Sequence, residues 1–285
     1  MDIIQYPPTT GSPVLTQNYN HTAYPSWWIG SSKHLNWTPT LSKALDLPEQ
    51  GKIEKEIFVS RPSAKVSINL SPLGVRAVRA SAHINRVSYM PLVTSGIALQ
   101  AESDPERWFL YTSDIDPGVV DIRTQCVAVE FIYDEKMRRY TLDVLRLTRS
   151  GNIQAVEVKS SLESIRRPAY LEKLNIVREI LEGLGIEFIV ATTNKLIGKN
   201  VLAHNIQSLV SHRFVRIEPR TLATCNLLLE GNNKTLGQLL TALGTSPTGR
   251  AQLLSLIARK HVYCDISRRL TASTIVRKTI GGSYA

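Results

Sequence analysis

Cysteines are few in this sequence, and they lie far apart. The three that occur, Cys126, Cys225 and Cys264, provide neither the paired cysteines of a disulfide framework nor the close pairs of a zinc site. Long apolar runs are also missing, since no stretch approaches the roughly 20 residues that span a bilayer. The opening segment MDIIQYPPTTGSP lacks the basic and apolar regions of a secretory signal. We therefore expect a cytoplasmic protein with no membrane partner.

The histidine and glycine motifs of several enzyme classes are missing as well. The six histidines show no HxH or HExxH spacing, which argues against a histidine-based metal site or a catalytic triad. No glycine-rich phosphate loop follows a predicted strand, which argues against nucleotide binding by this chain. The search for chemistry is thereby directed to the carboxylates and the basic side chains.

The overall composition is that of an ordinary globular chain. Of its 285 residues, 43% are hydrophobic and 20% are charged, so the sequence is neither disordered nor of low complexity. The length is about twice that of a usual domain and favours two domains.

The charge is unevenly distributed along the chain. Lys and Arg number 34 against 24 Asp and Glu, a net charge of +10. Residues 1–100 carry +4, residues 101–159 carry −3, residues 160–200 carry +1 and residues 201–285 carry +8. An acidic centre between basic ends suits a metal-dependent nuclease, because carboxylates hold cations while Lys and Arg hold phosphates. A basic protein whose charges cluster by chance is the alternative.

Residues 1–60 are predicted to form an irregular N-terminal arm. They are rich in Pro, Ser, Thr and Asn, and no period of 2 or 3.6 persists. The pair Trp27 and Trp28 would anchor this arm, either to the body of the protein or to a partner. Just beyond the arm, RAVRASAHINR spaces three arginines around small residues, which suits either a phosphate backbone or a solvated face.

Residues 61–200 are predicted to form an α/β domain. The string SDPE is a capping box that opens a helix through about Ser113. The segments QCVAVEFIYD, RRYTLDVLRLT and IQAVEVK alternate like the strands of an antiparallel meander. Leucine and valine spacing at 168–184 predicts a helix, and IEFIVAT then predicts a strand that pairs parallel to an earlier one. The order of elements indicates an α/β core built on a mixed sheet.

Residues 201–285 are predicted to form a mostly helical second domain. Four short helices precede a strand, a loop and a second strand, which is the order of a winged-helix domain. The last helix carries Arg250, Arg259 and Lys260, which could contact DNA. A winged helix that contacts protein instead of DNA fits the same order. We expect the seam between the two domains near 195–215.

Two adjacent predicted strands contain the strongest candidate for a chemical site. Side chains alternate along a strand, so Glu157 and Lys159 point to one face of the sheet. Asp143 lies on the preceding hairpin arm and can come beside Glu157. Such a group could bind Mg²⁺ through the two carboxylates, while Lys159 orients or helps to deprotonate the attacking water and stabilises phosphate charge. The alternative is an exposed polar face of a half-solvated sheet.

Glu106 in the preceding helix is a further candidate, although a local explanation exists for it. As the third residue after Ser103, it completes the capping box. The functional interpretation is a third carboxylate that points towards the same metal ions.

These segments resemble a known nuclease family. ESDPERWFLYTSDIDPGVVDIRTQ, followed by YTLDV and VEVK, is similar to the TnsA-type endonuclease subunit of heteromeric transposases. That family is a branch of the PD-(D/E)xK restriction-like nucleases. The likeness extends from about Val75 through IEFIVAT and continues more weakly towards the C-terminus. The resemblance implies an α/β, restriction-endonuclease-like mixed-sheet core with a winged-helix-like C-terminal domain.

The resemblance also implies roles for particular residues and partners. Glu106, Asp143 and Glu157 match the metal-site acids, and Lys159 matches the active-site lysine. The family is expected to use Mg²⁺, or Mn²⁺ in its place, to hydrolyse one strand of double-stranded DNA at each transposon end. A DDE-type transposase (TnsB-like) would cut and join the other strand, and an AAA+ ATPase regulator (TnsC-like) would bind the C-terminal domain. Such a complex would be prokaryotic and associated with the nucleoid.

Two departures and two rival functions accompany this resemblance. Leu142 stands where many relatives have the proline of the PD motif, which is not a ligand. Glu102 is close enough to Glu106 to be the matching acid instead, although it precedes the helix cap.

The first rival function is a PD-(D/E)xK restriction or repair nuclease that works alone. The second is a catalytically silent adaptor that binds DNA or a partner through the +8 segment.

Overall fold

The computed structural model of the chain describes residues 2–5, 40–47, 52–57, 64–71, 74–75, 87–194 and 200–279. The tryptophan pair of the arm and the three arginines at 76–86 lie outside the described residues. Among those that are described, no helix has the length and apolar character needed to cross a membrane. The described residues divide into two compact units, and the second holds residues 111–118 and the chain from 200 onwards.

A five-stranded mixed sheet is the centre of the first unit. Its spatial order is β1, β11, β10, β9 and β6. The strands are β1 (Asp2–Gln5), β6 (Val119–Thr124), β9 (Val144–Thr148), β10 (Ile153–Lys159) and β11 (Glu187–Thr192). The expected parallel pairing of IEFIVAT is confirmed, because β11 runs parallel to β10 with Glu157 opposite Val190. The other pairs in this sheet are antiparallel.

A second, antiparallel sheet has the order β2, β3, β7 and β8. Its strands are β2 (Lys52–Ile57), β3 (Ala64–Asn69), β7 (Val127–Tyr133) and β8 (Lys136–Thr141). The tight turn between β7 and β8 is made by Asp134 and Glu135, which both have positive φ. A separate hairpin consists of β4 (Ser88–Pro91) and β5 (Ala98–Ala101).

Three α-helices belong wholly or partly to the first unit. They are α1 (Leu41–Ala44), α2 (Asp104–Ile115), which the division into units crosses, and α3 (Pro168–Glu182). The expected spacing of α3 is confirmed, since Leu174, Val177 and Leu181 are buried on it. They share one apolar core with residues of both larger sheets, such as Phe131 and Val190.

The expected antiparallel meander is wrong in one respect. RRYTLDVLRLT is not one strand, because β8 ends at Thr141 and β9 begins at Val144. The chain leaves one sheet for the other at Leu142–Asp143, and it makes the opposite passage between β6 and β7 at Gln125–Cys126. The apolar alternation continues across the break, so the sequence pattern did not reveal it.

Two other expectations need correction in the N-terminal half. The segment DIRT, for which the sequence predicted no strand, lies in strand β6, where Asp121 accepts a hydrogen bond from the amide of Leu41 at 2.9 Å. The expected irregular arm at 1–60 contributes strands β1 and β2 and the helix α1 to the fold. Pairing with distant strands stabilises these segments, and local periodicity does not reveal such pairing.

The second unit contains the expected order of short helices and strands. Its helices are α4 (Val201–His212), α5 (Pro219–Leu228), α6 (Leu236–Ala242) and α7 (Pro247–Ala258). They are accompanied by a three-stranded sheet in the order β12 (Lys234–Thr235), β14 (Ile275–Lys278) and β13 (Val262–Cys264). The loop between β13 and β14 is held by the side-chain amide of Asn205, whose Nδ2 donates to the backbone carbonyls of Ile266 and Arg268.

The three basic residues of the chain's last helix, which could contact DNA, differ in exposure: Arg250 is exposed, Arg259 is half-buried and Lys260 is buried. Every residue from Gln252 to Ala258 is buried, since α4, α5, α6 and β13 all pack against this helix. Lys260 is buried, and the Arg259 guanidinium donates to the carbonyl of Arg213 at 2.8 Å. Only Arg250, near the start of the helix, is exposed.

We predict that Gly74→Ala destabilises the protein more than Gly151→Ala does. Both glycines have positive φ, 62° and 91°, which costs an alanine about 1–2 kcal/mol. A Cβ at Gly74 would also lie 2.2 Å from the carbonyl oxygen of Gln125, whereas one at Gly151 meets nothing within 4 Å. We expect the Gly74 variant to lose about 3 kcal/mol or more in urea unfolding followed by circular dichroism. Equal losses in the two variants would contradict the steric argument.

Candidate active site

The backbone around Asp143 is fixed where the two sheets separate. The amide of Gln125 donates to the carbonyl of Asp143 at 3.1 Å, and the amide of Leu142 donates to the carbonyl of Val127 at 3.0 Å. Gln125 has a φ of 50°, a left-handed conformation that is uncommon for a residue with a side chain. These bonds join the two passages of the chain, so Asp143 stands on a backbone that is held from both sides.

The side chain of Asp143 pairs with β10 where the backbone pairing of β9 has ended. The paired register of β9 and β10 ends with Val144 opposite Val156, because the chain turns away at Asp143. The amide of Val158 then donates to Asp143 Oδ2 at 2.7 Å. This bond orients the carboxylate beside Glu157 and leaves Oδ1 for another partner. The prediction that Asp143 comes beside Glu157 is thus met in the geometry.

Glu157 and Lys159 lie on one face of β10, as the strand period predicts. The Lys159 ammonium forms an ion pair with Glu157 Oε1. The hydroxyl of Tyr170, in the first turn of α3, donates to the same oxygen at 2.9 Å. Glu157 Oε2 is buried and has no hydrogen-bond partner. Since a buried carboxylate oxygen without a partner is costly, this oxygen marks a place where a cation would be favourable.

Both oxygens of Glu106 are engaged in the helix cap. Oε1 accepts from the hydroxyl of Ser103 at 2.7 Å, and Oε2 accepts from the amide of Glu102 at 2.9 Å. One half of the predicted capping box is present, because the amide of Glu106 donates to Ser103 Oγ at 3.3 Å. The other half differs, since the Glu106 carboxylate accepts from the amide of Glu102 and not from that of Ser103. Glu106 would have to give up one of these bonds to serve as a ligand. Its alternative, Glu102, is half-buried and precedes α2.

The Asp143 carboxyl is strongly perturbed by its surroundings. Burial is the largest effect and raises the pKa of this group well above its usual range, and the Glu157 carboxylate raises it further. Glu106 contributes in the same direction, so its charge is felt at Asp143. The Lys159 ammonium and the amide of Val158 act in the opposite direction without cancelling the shift.

The pKa values of Glu106 and Lys159 are also displaced. Burial raises the pKa of Glu106, and the charge of Lys159 lowers it by a smaller amount. For Lys159, burial alone would lower the pKa, but the carboxylates of Glu157 and Asp143 raise it above its usual value. Lys159 therefore remains a cation at neutral pH. The four predicted site residues thus form one electrostatic group, with three carboxyl groups around a single lysine.

The site contains carboxylate oxygens that suit a metal ion, but these oxygens do not form a complete set of ligands. Among the residues that the structure describes, no three His, Cys, Asp or Glu side chains are grouped so that they could hold a metal as they stand. In addition, both oxygens of Glu106 are engaged in its cap, and Glu157 Oε1 is held by Lys159. Glu157 Oε2 and Asp143 Oδ1 are the oxygens best suited to a hard cation such as Mg²⁺.

Sequence reasoning missed two tyrosines beside Glu157. Tyr170 and Tyr140 have their hydroxyl oxygens 3.2 Å apart. Burial, followed by the Glu157 charge, raises the pKa of Tyr170 to about 12, so this hydroxyl keeps its proton at neutral pH. A signal for Tyr170 did exist, because it lies four residues before Leu174 and shares the sheet-facing side of α3. Tyr140 gave no comparable signal, since it belongs to a strand of the other sheet.

Comparison with known families agrees with this geometry. Residues 116–193 match the family model described as TnsA-like endonuclease N terminal. This segment runs from just before β6 to just after β11 and includes Asp143, Glu157 and Lys159, while Glu106 precedes it. The resemblance to TnsA-type endonucleases is thereby confirmed for about a quarter of the chain, and the mixed α/β sheet agrees with a restriction-endonuclease-like core. No curated protein matches the chain.

We predict that Asp143→Asn changes how stability depends on pH in EDTA. A carboxyl whose pKa is raised by folding contributes stability below its unfolded pKa of about 4, and this contribution is lost as the pH rises through the folded pKa. Asparagine removes that loss and can still accept the amide of Val158. The free energy of unfolding, measured in urea, should therefore change in favour of the variant, relative to the wild type, as the pH rises from 4 to 8.

A matched control for this measurement is Glu130→Gln. Glu130 pairs with Arg139 at 3.0 Å and lies outside the site. This variant also replaces one carboxylate by an amide, so it shows how the stability responds to the loss of a negative charge outside the site. Parallel curves for Asp143→Asn and the wild type would contradict the electrostatic account of the site.

Proposed function

We propose that the chain, whose residues 116–193 form a TnsA-like endonuclease segment, is the DNA endonuclease subunit of a transposase complex. Its reaction would be the Mg²⁺-dependent hydrolysis of one strand at each transposon end during cut-and-paste transposition. The observation that carries the proposal is the convergence of Asp143, Glu157 and Lys159 at the point where two sheets separate, with one buried carboxylate oxygen left without a partner.

The side chains would divide the chemistry according to their environments. A bound Mg²⁺, or Mn²⁺ in its place, supplies a Lewis acid for the phosphate oxygens and lowers the pKa of water. Asp143 and Glu157 would hold this ion, with Glu106 as a third acid. Lys159 keeps its proton, because the neighbouring carboxylates raise its pKa. Its role would therefore be to orient the attacking water and to hold phosphate charge, rather than to accept a proton.

The remaining parts of the chain would supply the contacts with partners. We assign residues 61–200, together with β1, α1 and β2 from residues 1–60, to the endonuclease domain, and residues 201–285 to a winged-helix-like domain. The second domain would contact transposon-end DNA, the AAA+ ATPase regulator (TnsC-like), or both, and a DDE-type transposase (TnsB-like) would process the other strand. Exposed basic side chains of this domain support the assignment: Arg216, Arg220, Arg250, Arg268, Arg269, Arg277 and Lys278.

We predict that Asp143→Ala and Lys159→Ala each abolish Mg²⁺-dependent cleavage of a transposon-end duplex. The loss should be at least about 100-fold, because each variant removes a charge that the site offers to the metal or to the phosphate. Binding of the duplex, measured by gel shift, should remain largely intact. Glu130→Ala, which removes a carboxylate from the same unit but outside the site, should cleave like the wild type.

The same assay distinguishes the rival functions. Undiminished cutting by both Asp143→Ala and Lys159→Ala would overturn the assigned site. Cleavage of plain duplex by the purified chain, without transposase or ATPase, would favour a nuclease that works alone. Full transposition with the Asp143→Ala variant would favour a silent adaptor.

We predict that Glu106→Gln and Ser103→Ala separate the two roles of the helix start. Glutamine can still accept from the amide of Glu102, so the cap and the stability should be retained while the negative charge is lost. Cleavage should then fall, because the metal site loses one acid. Ser103→Ala removes the capping hydroxyl and should cost about 1 kcal/mol of stability, but it leaves the carboxylate in place for cleavage.

Urea unfolding and cleavage rates measured on the same preparations decide between these roles. Full cleavage by Glu106→Gln would restrict Glu106 to its structural role in the cap. Loss of cleavage by Ser103→Ala at unchanged stability would contradict the separation altogether.

A further inference from the structure

The two oxygens of the Glu157 carboxylate have opposite surroundings. Oε1 accepts from the hydroxyl of Tyr170 at 2.9 Å and forms the ion pair with Lys159. Oε2 is buried and accepts no hydrogen bond. A carboxylate with one oxygen held twice and the other not at all has a defined orientation, and the hydroxyl of Tyr170 is one of the two groups that define it.

Tyr170 is itself held in place by a second tyrosine. Its hydroxyl lies 3.2 Å from that of Tyr140, which is buried at the end of β8. The Lys159 ammonium lies 5.8 Å from the centre of the Tyr170 ring, and the Lys173 ammonium lies 4.8 Å from the centre of the Tyr140 ring. The pair of rings is thus fixed by contacts with cations as well as by the hydroxyl–hydroxyl bond.

The chain of hydroxyls connects three separate elements of the fold. Glu157 belongs to β10 in the mixed sheet, Tyr170 to α3, and Tyr140 to β8 in the antiparallel sheet. An orientation fixed from three elements resists thermal motion more than one fixed by a neighbour on the same strand, such as Lys159. Groups of this kind, which hold a ligand from behind, change metal affinity when they are removed.

We propose that Tyr170 and Tyr140 are positioning residues that fix the Glu157 carboxylate, so that Oε2 is the oxygen presented to a divalent cation. This inference rests on the proposed function, because it assumes that Glu157 binds the metal. Tyr170 donates to Glu157 directly; Tyr140 supports Tyr170 and also lies close enough to Glu157 to be affected by its charge. Neither tyrosine touches the cation or the DNA in this assignment.

The hydroxyl bond is better explained by positioning than by stability alone. A network formed only for stability would give both Glu157 oxygens a partner, because the buried Oε2 is costly without one. A comparison is available in the same unit: the Tyr133 hydroxyl donates to Glu172 on α3 at 2.9 Å, but this pair is exposed. The two bonds share their chemistry and their helix, and they differ in whether the accepting carboxylate is part of the site.

The test compares three tyrosine-to-phenylalanine variants of the full chain. Tyr170→Phe removes the hydroxyl and keeps the ring beside Lys159. Tyr140→Phe removes the hydroxyl that supports Tyr170, and Tyr133→Phe is the matched control. The readout is the dissociation constant of Mn²⁺, measured by titration calorimetry without DNA. We expect Tyr170→Phe to weaken Mn²⁺ binding about 10- to 100-fold, Tyr140→Phe to weaken it less, and Tyr133→Phe to leave it unchanged.

A second readout separates positioning from general damage. The Mn²⁺ concentration that gives half-maximal cleavage should rise in Tyr170→Phe by the same factor as the dissociation constant. Cleavage should return towards the wild-type rate at saturating Mn²⁺. A variant that was merely unstable would lose activity that added metal does not restore.

The outcomes bear separately on this inference and on the proposed function. Wild-type Mn²⁺ affinity in a folded Tyr170→Phe variant would overturn the positioning role, while leaving the endonuclease assignment intact. If Tyr170→Phe does not fold, wild-type affinity in Tyr140→Phe would overturn the role of the tyrosine pair. Failure of the wild-type chain to bind Mn²⁺ would overturn the metal site itself, and the inference with it.

Discussion

The bend of one antiparallel hairpin between two sheets is the constraint on which the site depends. Strands β6 and β9 pair in one sheet and β7 and β8 pair in the other, so both arms change sheets side by side. At the bend, the amide of Val158 is satisfied by the side chain of Asp143 instead of a strand partner. A carboxylate is thus fixed just before the start of β9 by the requirement that a backbone donor of β10 be paired. The bend that ends the strand pairing therefore also positions Asp143 in the site.

The bend also explains why residues far from the chemistry support it. Gln125 adopts a left-handed conformation and donates to the carbonyl of Asp143, while its own carbonyl accepts from the amide of Val75 at 2.8 Å. The turn that contains Gly74 lies against this carbonyl so closely that a side chain would not fit. Unfavourable backbone geometry at one residue is therefore held in place by a turn from another part of the chain, as is common near functional sites.

The charges of the site are balanced only in part. Burial raises the pKa of Asp143 and Glu106, and a single lysine faces three carboxyl groups. Because ordinary folding favours complete pairing of buried charges, this excess of acids lowers stability. A divalent cation would compensate it. Under the proposed function, the site would be an example of stability given up for activity, and the raised pKa values express mainly the burial of the acids, with their mutual repulsion second at Asp143.

The sequence was sufficient for those features that depend on local periodicity. The period of two placed Glu157 and Lys159 on one face, and the spacing around Leu174 predicted α3. The capping box at Ser103 was visible for the same reason. The break at Leu142–Asp143 was not, since the apolar alternation passes through it. Strand β6 was not predicted, because the polar residue Asp121 interrupts its apolar pattern. Asp121 is nevertheless buried, and it accepts from the amide of Leu41, 80 positions away.

The sequence also does not reveal how much of the +8 charge in the C-terminal segment is exposed. A count treats all basic residues alike, but the fold divides them. Arg213 is buried near Asp114, with 3.8 Å between guanidinium Nε and carboxylate, and its carbonyl accepts from Arg259. Arg213 is therefore not available to a polyanion, and Arg259 is partly committed to a contact within the unit. The charge that remains for DNA or a regulator is therefore smaller than the count. It lies around the start of α5, at the start of α7, and along the β13–β14 loop and β14.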